Sequence, residues 1–234
     1  MLKTIQEAAG DLFSLFFPNL CLGCGQPLIR QEEVICSICH FHLPKTYFHN
    51  DPENPLNRVF WGRVNIEAVA AYLYFHKGSS VQHLLHQLKY KGRPEIGMKI
   101  GKWYGMELCQ ANVFRDTELI VPVPLHPRKY RRRGYNQSQA FAEGLAAVMN
   151  AEQETGCLYR KVDSKTQTRK ARYNRWENVE NIFAVNHPEK IKSRHILLVD
   201  DVITTGATLE SCAQALLEVP GVKVSIATIA YASY

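Results

Sequence analysis

The stretch Ile196-Leu-Leu-Val-Asp-Asp-Val-Ile-Thr-Thr-Gly-Ala-Thr208 sets two carboxylates directly ahead of a hydroxyl-rich turn. The apolar run Ile196 to Val199 reads as a buried strand that delivers Asp200 and Asp201 to the carboxyl edge of a sheet, where ligands bind in open α/β folds. The chain then turns through Thr204, Thr205 and Gly206, and Ala207 and Thr208 open a helix expected to run to Val219. The free N–H groups and positive dipole end of that helix, with the three threonine hydroxyls, can face an anion. Carboxylates beside an anion cradle make chemical sense when the ligand also carries hydroxyls for them to accept from. A ribose 5-phosphate has both.

A second charged constellation lies in Ile120-Val-Pro-Val-Pro-Leu-His-Pro-Arg-Lys-Tyr-Arg-Arg-Arg-Gly-Tyr-Asn-Gln-Ser-Gln139, which crowds Arg128, Lys129, Arg131, Arg132 and Arg133 into an expected loop after a strand. Such a loop can neutralise a diphosphate or a nucleic-acid backbone, or simply be a solvated basic loop. Lys89, Lys91 and Arg93 around Tyr90 make a smaller basic cluster with an aromatic, where a base or phosphate could bind; a solvated helix end is the alternative. Arg160 to Arg175 is polar enough to be a mobile lid or binding loop.

Cys21-x2-Cys24 and Cys36-x2-Cys39 form two knuckles that can converge on one tetrahedral Zn²⁺. Two redox-active pairs, or free buried thiols, are the alternatives. His40 and His42 are close enough to substitute, although four cysteines already complete a shell and leave no open position for a substrate. Such a metal is structural and contributes on the order of 10 kcal/mol to folding a segment this small.

The elements that must position these groups follow from the hydrophobic pattern. Leu2, Ile5, Ala9, Leu12, Phe13 and Phe16 fall on one face of a short N-terminal helix, and a polar stretch from His49 to Asn57 reads as a linker. Strands at Ile66 to Phe75, Glu118 to Val123, His195 to Val199 and Val222 to Tyr231 alternate with helices at Val81 to Tyr90, Asn136 to Met149 and Gly206 to Val219. That alternation points to an α/β fold: a mainly parallel sheet with helices on both faces, residues 58–234, preceded by a small zinc-binding segment in residues 1–57.

The chain has 234 residues, 46% of them hydrophobic, which excludes a disordered chain, collagen or a repeat array. Its formal charge of +6 suits a phosphate-rich ligand or nucleic acid without choosing between them. Glu7 and Asp11 precede the apolar run Leu12 to Phe17, so no secretory signal is read. No apolar stretch reaches the roughly 18 to 20 residues a membrane span needs. With the clustered cysteines, a reducing compartment, the cytoplasm, is expected.

The acidic pair and its Thr-Thr-Gly-Ala-Thr turn resemble the phosphoribosyl-diphosphate (PRPP) motif of type I phosphoribosyltransferases. By that resemblance Asp200 and Asp201 bind the ribose hydroxyls, and Thr204, Thr205, Gly206, Ala207 and Thr208 the 5-phosphate. Over nearly its whole length the sequence resembles the ComF family of competence-associated, phosphoribosyltransferase-like proteins. The match is carried by the four cysteines, Leu88-Lys-Tyr-Lys-Gly92, Val121-Pro-Val-Pro124, Arg133-Gly-Tyr-Asn-Gln137, Thr166-Gln167 with Arg175 and Asn178, and the acidic pair. The resemblance implies a type I phosphoribosyltransferase-like fold that binds PRPP with Mg²⁺ and takes part in DNA uptake. Arg128, Arg131, Arg132, Arg133 and Lys89 would contact the diphosphate or nucleic acid. Pentosyl transfer from PRPP would be the reaction, with an acceptor and a general base that no residue pattern marks. The alternative is a non-catalytic component that binds single-stranded DNA or other competence proteins.

Overall fold

A computed structural model describes residues 17–161 and 182–232. The elements in chain order are α1 (Ser37–Phe41), α2 (Pro55–Phe60), β1 (Ala68–Tyr74), α3 (Ser80–Tyr90), α4 (Pro94–Leu108), α5 (Asn112–Arg115), β2 (Leu119–Pro122), α6 (Pro127–Arg133), α7 (Gln137–Ala146), β3 (Glu152–Gln153), β4 (Leu158–Arg160), β5 (Phe183–Val185), β6 (His195–Ile203), α8 (Ala207–Leu217) and β7 (Lys223–Tyr231). The expected N-terminal helix and most of the expected lid, its residues 162–175, lie outside the described residues.

Five strands form one sheet in the order β1-β7-β6-β2-β3, every pair parallel. β4 and β5 make a separate antiparallel pair. A parallel sheet covered on both faces needs continuous apolar runs, and Val224 to Ala230 of β7 are all buried. The connection from β2 through α7 to β3 steps toward one edge, whereas that from β6 through α8 to β7 steps toward the other. Right-handed crossovers moving in opposite directions place their helices on opposite faces. The divergence also makes the gap between β2 and β6 the topological switch point, whose carboxyl end is the place for a ligand.

The longest helix, α4, is not among the helices expected from the sequence. Pro94 starts it, and Gly97, Gly101 and Gly105 recur every fourth residue along one face. That face meets α7 so closely that a Cβ on Gly101 would stand 2.4 Å from the Phe141 carbonyl oxygen, and one on Gly144 would stand 2.1 Å from that of Met98. Glycine weakens a helix by about 1 kcal/mol relative to alanine and reads as a breaker. Here the close approach of two backbones requires it.

The stretch His49 to Asn57, expected as a linker, is instead folded. A 3-10 turn at Phe48–Asn50 leads into α2, and Phe48, Asn54 and Leu56 are buried. Asn54 caps α2 by accepting from Leu56 N at 3.0 Å, and its amide donates to the carbonyls of Phe48, Asp51 and Val69, tying the segment to the start of β1. The hydrophobic core is continuous from Cys21, Val34, Ile35 and Leu43 through to the sheet.

Candidate functional site

Asp200 and Asp201 are the sixth and seventh of the nine residues of β6, because the strand runs on to Ile203 rather than stopping at Val199. Asp200 Oδ1 accepts from Ser138 Oγ at 2.8 Å and from the Asp201 N–H at 2.8 Å. Asp201 Oδ1 pairs with Lys89 Nζ at 2.9 Å. Burial, then the neighbouring Asp201 charge, push the Asp200 carboxyl from its usual 3.8 up to about 7, against the hydrogen bonds from Ser138 and Asp201 and the Lys89 cation.

Ser138 reaches Asp200 because α7 starts beside the end of β2. Asn136 caps the helix, accepting from Ser138 N at 3.1 Å, while its amide donates to the Val123 carbonyl at 2.9 Å. The side chain of Gln137, the first residue of α7, is buried with no partner for its Nε2. On the other side of the acids, Gly206 takes a left-handed φ of 74° and starts α8. Two helix N-termini therefore flank the carboxyl end of the switch point, each with a positive dipole end.

Thr204, Thr205, Gly206, Ala207 and Thr208 line a small cavity of about 50 Å³ together with Asp200, and both Thr204 and Thr205 are exposed. A Cβ at Gly206 would meet Val59 Cγ1 at 2.7 Å, so this turn rests on the end of α2. Arg63 locks the same junction by pairing with Glu210, in the first turn of α8, at 2.5 Å. The sequence carried no sign of this support.

The arginines expected in a loop form a helix instead, α6. Pro127 at its first position and His126, whose Nδ1 accepts from Arg128 N at 3.1 Å, start it, and Gly134 ends it. Arg128, Arg131 and Arg132 are exposed. The guanidiniums of Arg132 and Arg133 lie 6.0 and 5.1 Å from the ring centroid of Tyr90, at the end of α3. The Tyr135 hydroxyl donates to the Leu88 carbonyl and pins this helix end to the segment leading into α7. Lys89, expected among the phosphate contacts, is instead engaged with Asp201. Sequence reasoning missed Ser138; the Asn136 cap beside a sheet edge was the signal that could have found it.

The cysteines make a second site. The four sulfurs of Cys21, Cys24, Cys36 and Cys39 lie within 4.8 Å of one another, and Cys24 Sγ stands 3.8 Å from Cys36 Sγ. A tetrahedron of zinc–sulfur bonds of about 2.3 Å has sulfur–sulfur edges of about 3.8 Å, so the set fits a metal of that kind. Backbone N–H groups of Gly23 and Cys36 point at Cys21 Sγ. Burial raises the Cys21 thiol, but hydrogen bonds from Cys36, Cys24 and Gly23 outweigh it and bring the group down to about 6, favouring a thiolate. His40 is not part of the set: its ring stacks on Trp103 at 4.1 Å. Glu33 pairs with Lys99 at 2.7 Å and Lys45 with Glu107 at 2.7 Å, which docks the ribbon along α4. Among the described residues no helix is long and apolar enough to cross a membrane.

A family model, and relatives spanning most of the chain, match this sequence. A phosphoribosyl transferase domain model matches residues 137–233, which include α7, the acidic pair and α8. The DNA utilization protein YhgH of Escherichia coli K12 is 31% identical over 219 residues, spanning 87% of this chain and 92% of that one. The competence protein ComFC of Bacillus subtilis is 24% identical over 201 residues, spanning 86% and 78%. Among solved structures, a glutamine PRPP amidotransferase from Bacillus subtilis aligns at 20% identity and a TM-score of 0.41, over 60% of this chain and 30% of that one. With the four-cysteine ribbon, the parallel sheet and the acidic pair all in place, the chain belongs to the ComF family of competence-associated proteins built on a type I phosphoribosyltransferase-like fold.

Proposed function

We propose that the chain binds PRPP at the carboxyl end of the β2–β6 switch point and acts in DNA uptake, as the names of its competence relatives suggest. The observation that carries the reading is the acid pair standing between two helix N-termini. In this arrangement Asp200 and Asp201 accept from the ribose hydroxyls and the turn Thr204 to Thr208 holds the 5-phosphate. The start of α7, with the unpartnered Gln137 amide and the nearby arginines of α6, faces the diphosphate. Mg²⁺, when bound, would neutralise the diphosphate. One oxygen of each carboxylate is already engaged, by Ser138 and by Lys89, which suits a metal held mainly by ligand oxygens. The four thiolates would hold structural Zn²⁺.

In pentosyl transfer, the bond from C1 to the diphosphate oxygen breaks as the bond to an acceptor forms. This chain's residues contribute position and charge neutralisation around that centre. Calorimetric titration of PRPP with Mg²⁺ into the wild type and into Asp200→Asn/Asp201→Asn, with zinc content checked on both, tests the reading. Binding that the double variant loses at unchanged zinc supports it. No binding to a zinc-loaded wild type overturns it.

A second reading, a surface for single-stranded DNA, is favoured by the half-exposed Tyr90 ring flanked by Arg132 and Arg133. Replacing Arg131, Arg132 and Arg133 by alanine should flatten the salt dependence of DNA binding by about two to three unit slopes. An unchanged slope would remove that surface from consideration.

A further inference from the structure

We infer that Lys89 is a positioning residue for the acid pair: it supplies the counter-charge that lets Asp200 and Asp201 be ionised together and fixes the orientation of Asp201. This rests on the reading of that site as a hydroxyl acceptor and assigns Lys89 a role distinct from contact with diphosphate.

The geometry gives Lys89 little freedom. It sits in the last turn of α3, with Leu88 before it accepting from the Tyr135 hydroxyl and Tyr90 after it against Arg133. Its ammonium lies 2.9 Å from Asp201 Oδ1, and the two side chains are 23% and 15% exposed, so solvent screens the pair only in part. Two carboxylates side by side in a site this enclosed resist ionising together unless a cation stands beside them.

The groups that face the pair from the packed elements are few. From α7 comes the neutral hydroxyl of Ser138, and from α8 the Cys212 thiol, whose buried position keeps it protonated. From α3 comes Lys89, the cation paired with the acids among the described residues. Arg160 of β4 acts on Cys212. Among the described residues, charge compensation of the ligand-free pair thus falls on one ammonium, and Arg132 and Arg133, stacked on Tyr90, are left for an anionic ligand.

The test is a carbon-13 carboxyl NMR titration of the ligand-free protein, with resonances assigned from Asp200→Asn and Asp201→Asn. In Lys89→Met the upper midpoint of the pair should rise by about one pH unit or more, and Lys89→Arg should restore it. If Lys89→Met does not fold, Lys89→Gln carries the same measurement. A midpoint that stays at the wild-type value in the neutral variant overturns the inference, even if stability falls. Where the wild type binds PRPP, the pH at which affinity is halved should rise in parallel. Should the wild type bind none, the proposed ligand is wrong, and the NMR midpoint still decides the role of Lys89.

Discussion

The hydroxyl of Ser138, second residue of α7, donates to Asp200 Oδ1, near the end of β6, across 2.8 Å. This bond joins the helix that closes one side of the switch point to the acid at its centre. Because α7 is also seated on α4, the position of Asp200 depends on how two helices pack as well as on its own strand.

Removing that donor should therefore be felt at the site. Ser138→Ala leaves Asp200 with one fewer hydrogen bond to its charged form, and such bonds are worth about 1.5 to 3 kcal/mol. PRPP affinity at neutral pH should fall by about tenfold or more, with less loss at higher pH, as read by calorimetry across a pH series. Equal losses at every pH would show that Ser138 does not act through the ionisation of Asp200.

The acid pair should also make the empty protein pH-sensitive. Asp200 ionises near 3.8 in the unfolded chain and near 7 in the fold, so between those values the folded state binds more protons. Stability then falls as pH rises through that window. Urea midpoints of the ligand-free protein should decline from about pH 4 to about pH 7 and level off above that, and Asp200→Asn should flatten the decline.

The seam between α4 and α7 gives a third expectation. Gly101→Ala drives a methyl group to 2.4 Å from the Phe141 carbonyl oxygen, and Gly144→Ala drives one to 2.1 Å from that of Met98, with backbone and no flexible side-chain tip at either contact. Each should cost about 2 kcal/mol or more in urea unfolding. Surviving folded protein should bind PRPP more weakly, since the start of α7 moves with the seam.

Metal content supplies the fourth. Cys39→Ser should lower bound zinc from about one per chain to a small fraction, measured by atomic emission. Trp103, stacked on His40, should report the loss as a change in fluorescence. Full zinc occupancy in this variant would mean that the cluster uses another ligand.

Much of this was legible in the residues. Four strands of the sheet, β1, β2, β6 and β7, are apolar runs visible in the sequence, whereas the edge strand β3 is the polar pair Glu152–Gln153 and β6 runs past its expected end; the knuckle spacing marks the ribbon, and strand, acids, turn and helix follow one another from His195 to Leu217 in an order that points to one site. What stayed hidden has physical causes. α4 carries buried apolar residues at Ile96, Ile100, Tyr104 and Leu108, but Gly97, Gly101 and Gly105 stand beside them and read as helix breakers, which hid the helix. The polar residues of 49–57 read as linker because the hydrogen bonds that absorb Asn54 come from distant carbonyls. Lys89 read as a phosphate contact or a solvated helix end because nothing in its neighbourhood of sequence foretells Asp201, more than a hundred residues away.

α4 has a second side. While its glycines meet α7, Lys99, Trp103 and Glu107, again at every fourth position, engage Glu33, His40 and Lys45 of the ribbon. Such a ribbon is no detachable cassette. Grafted onto another sheet it would lose three anchors, and exchanged for a foreign ribbon it would strand three side chains on α4. In this chain a change on the ribbon side of that seam calls for a matching change on α4.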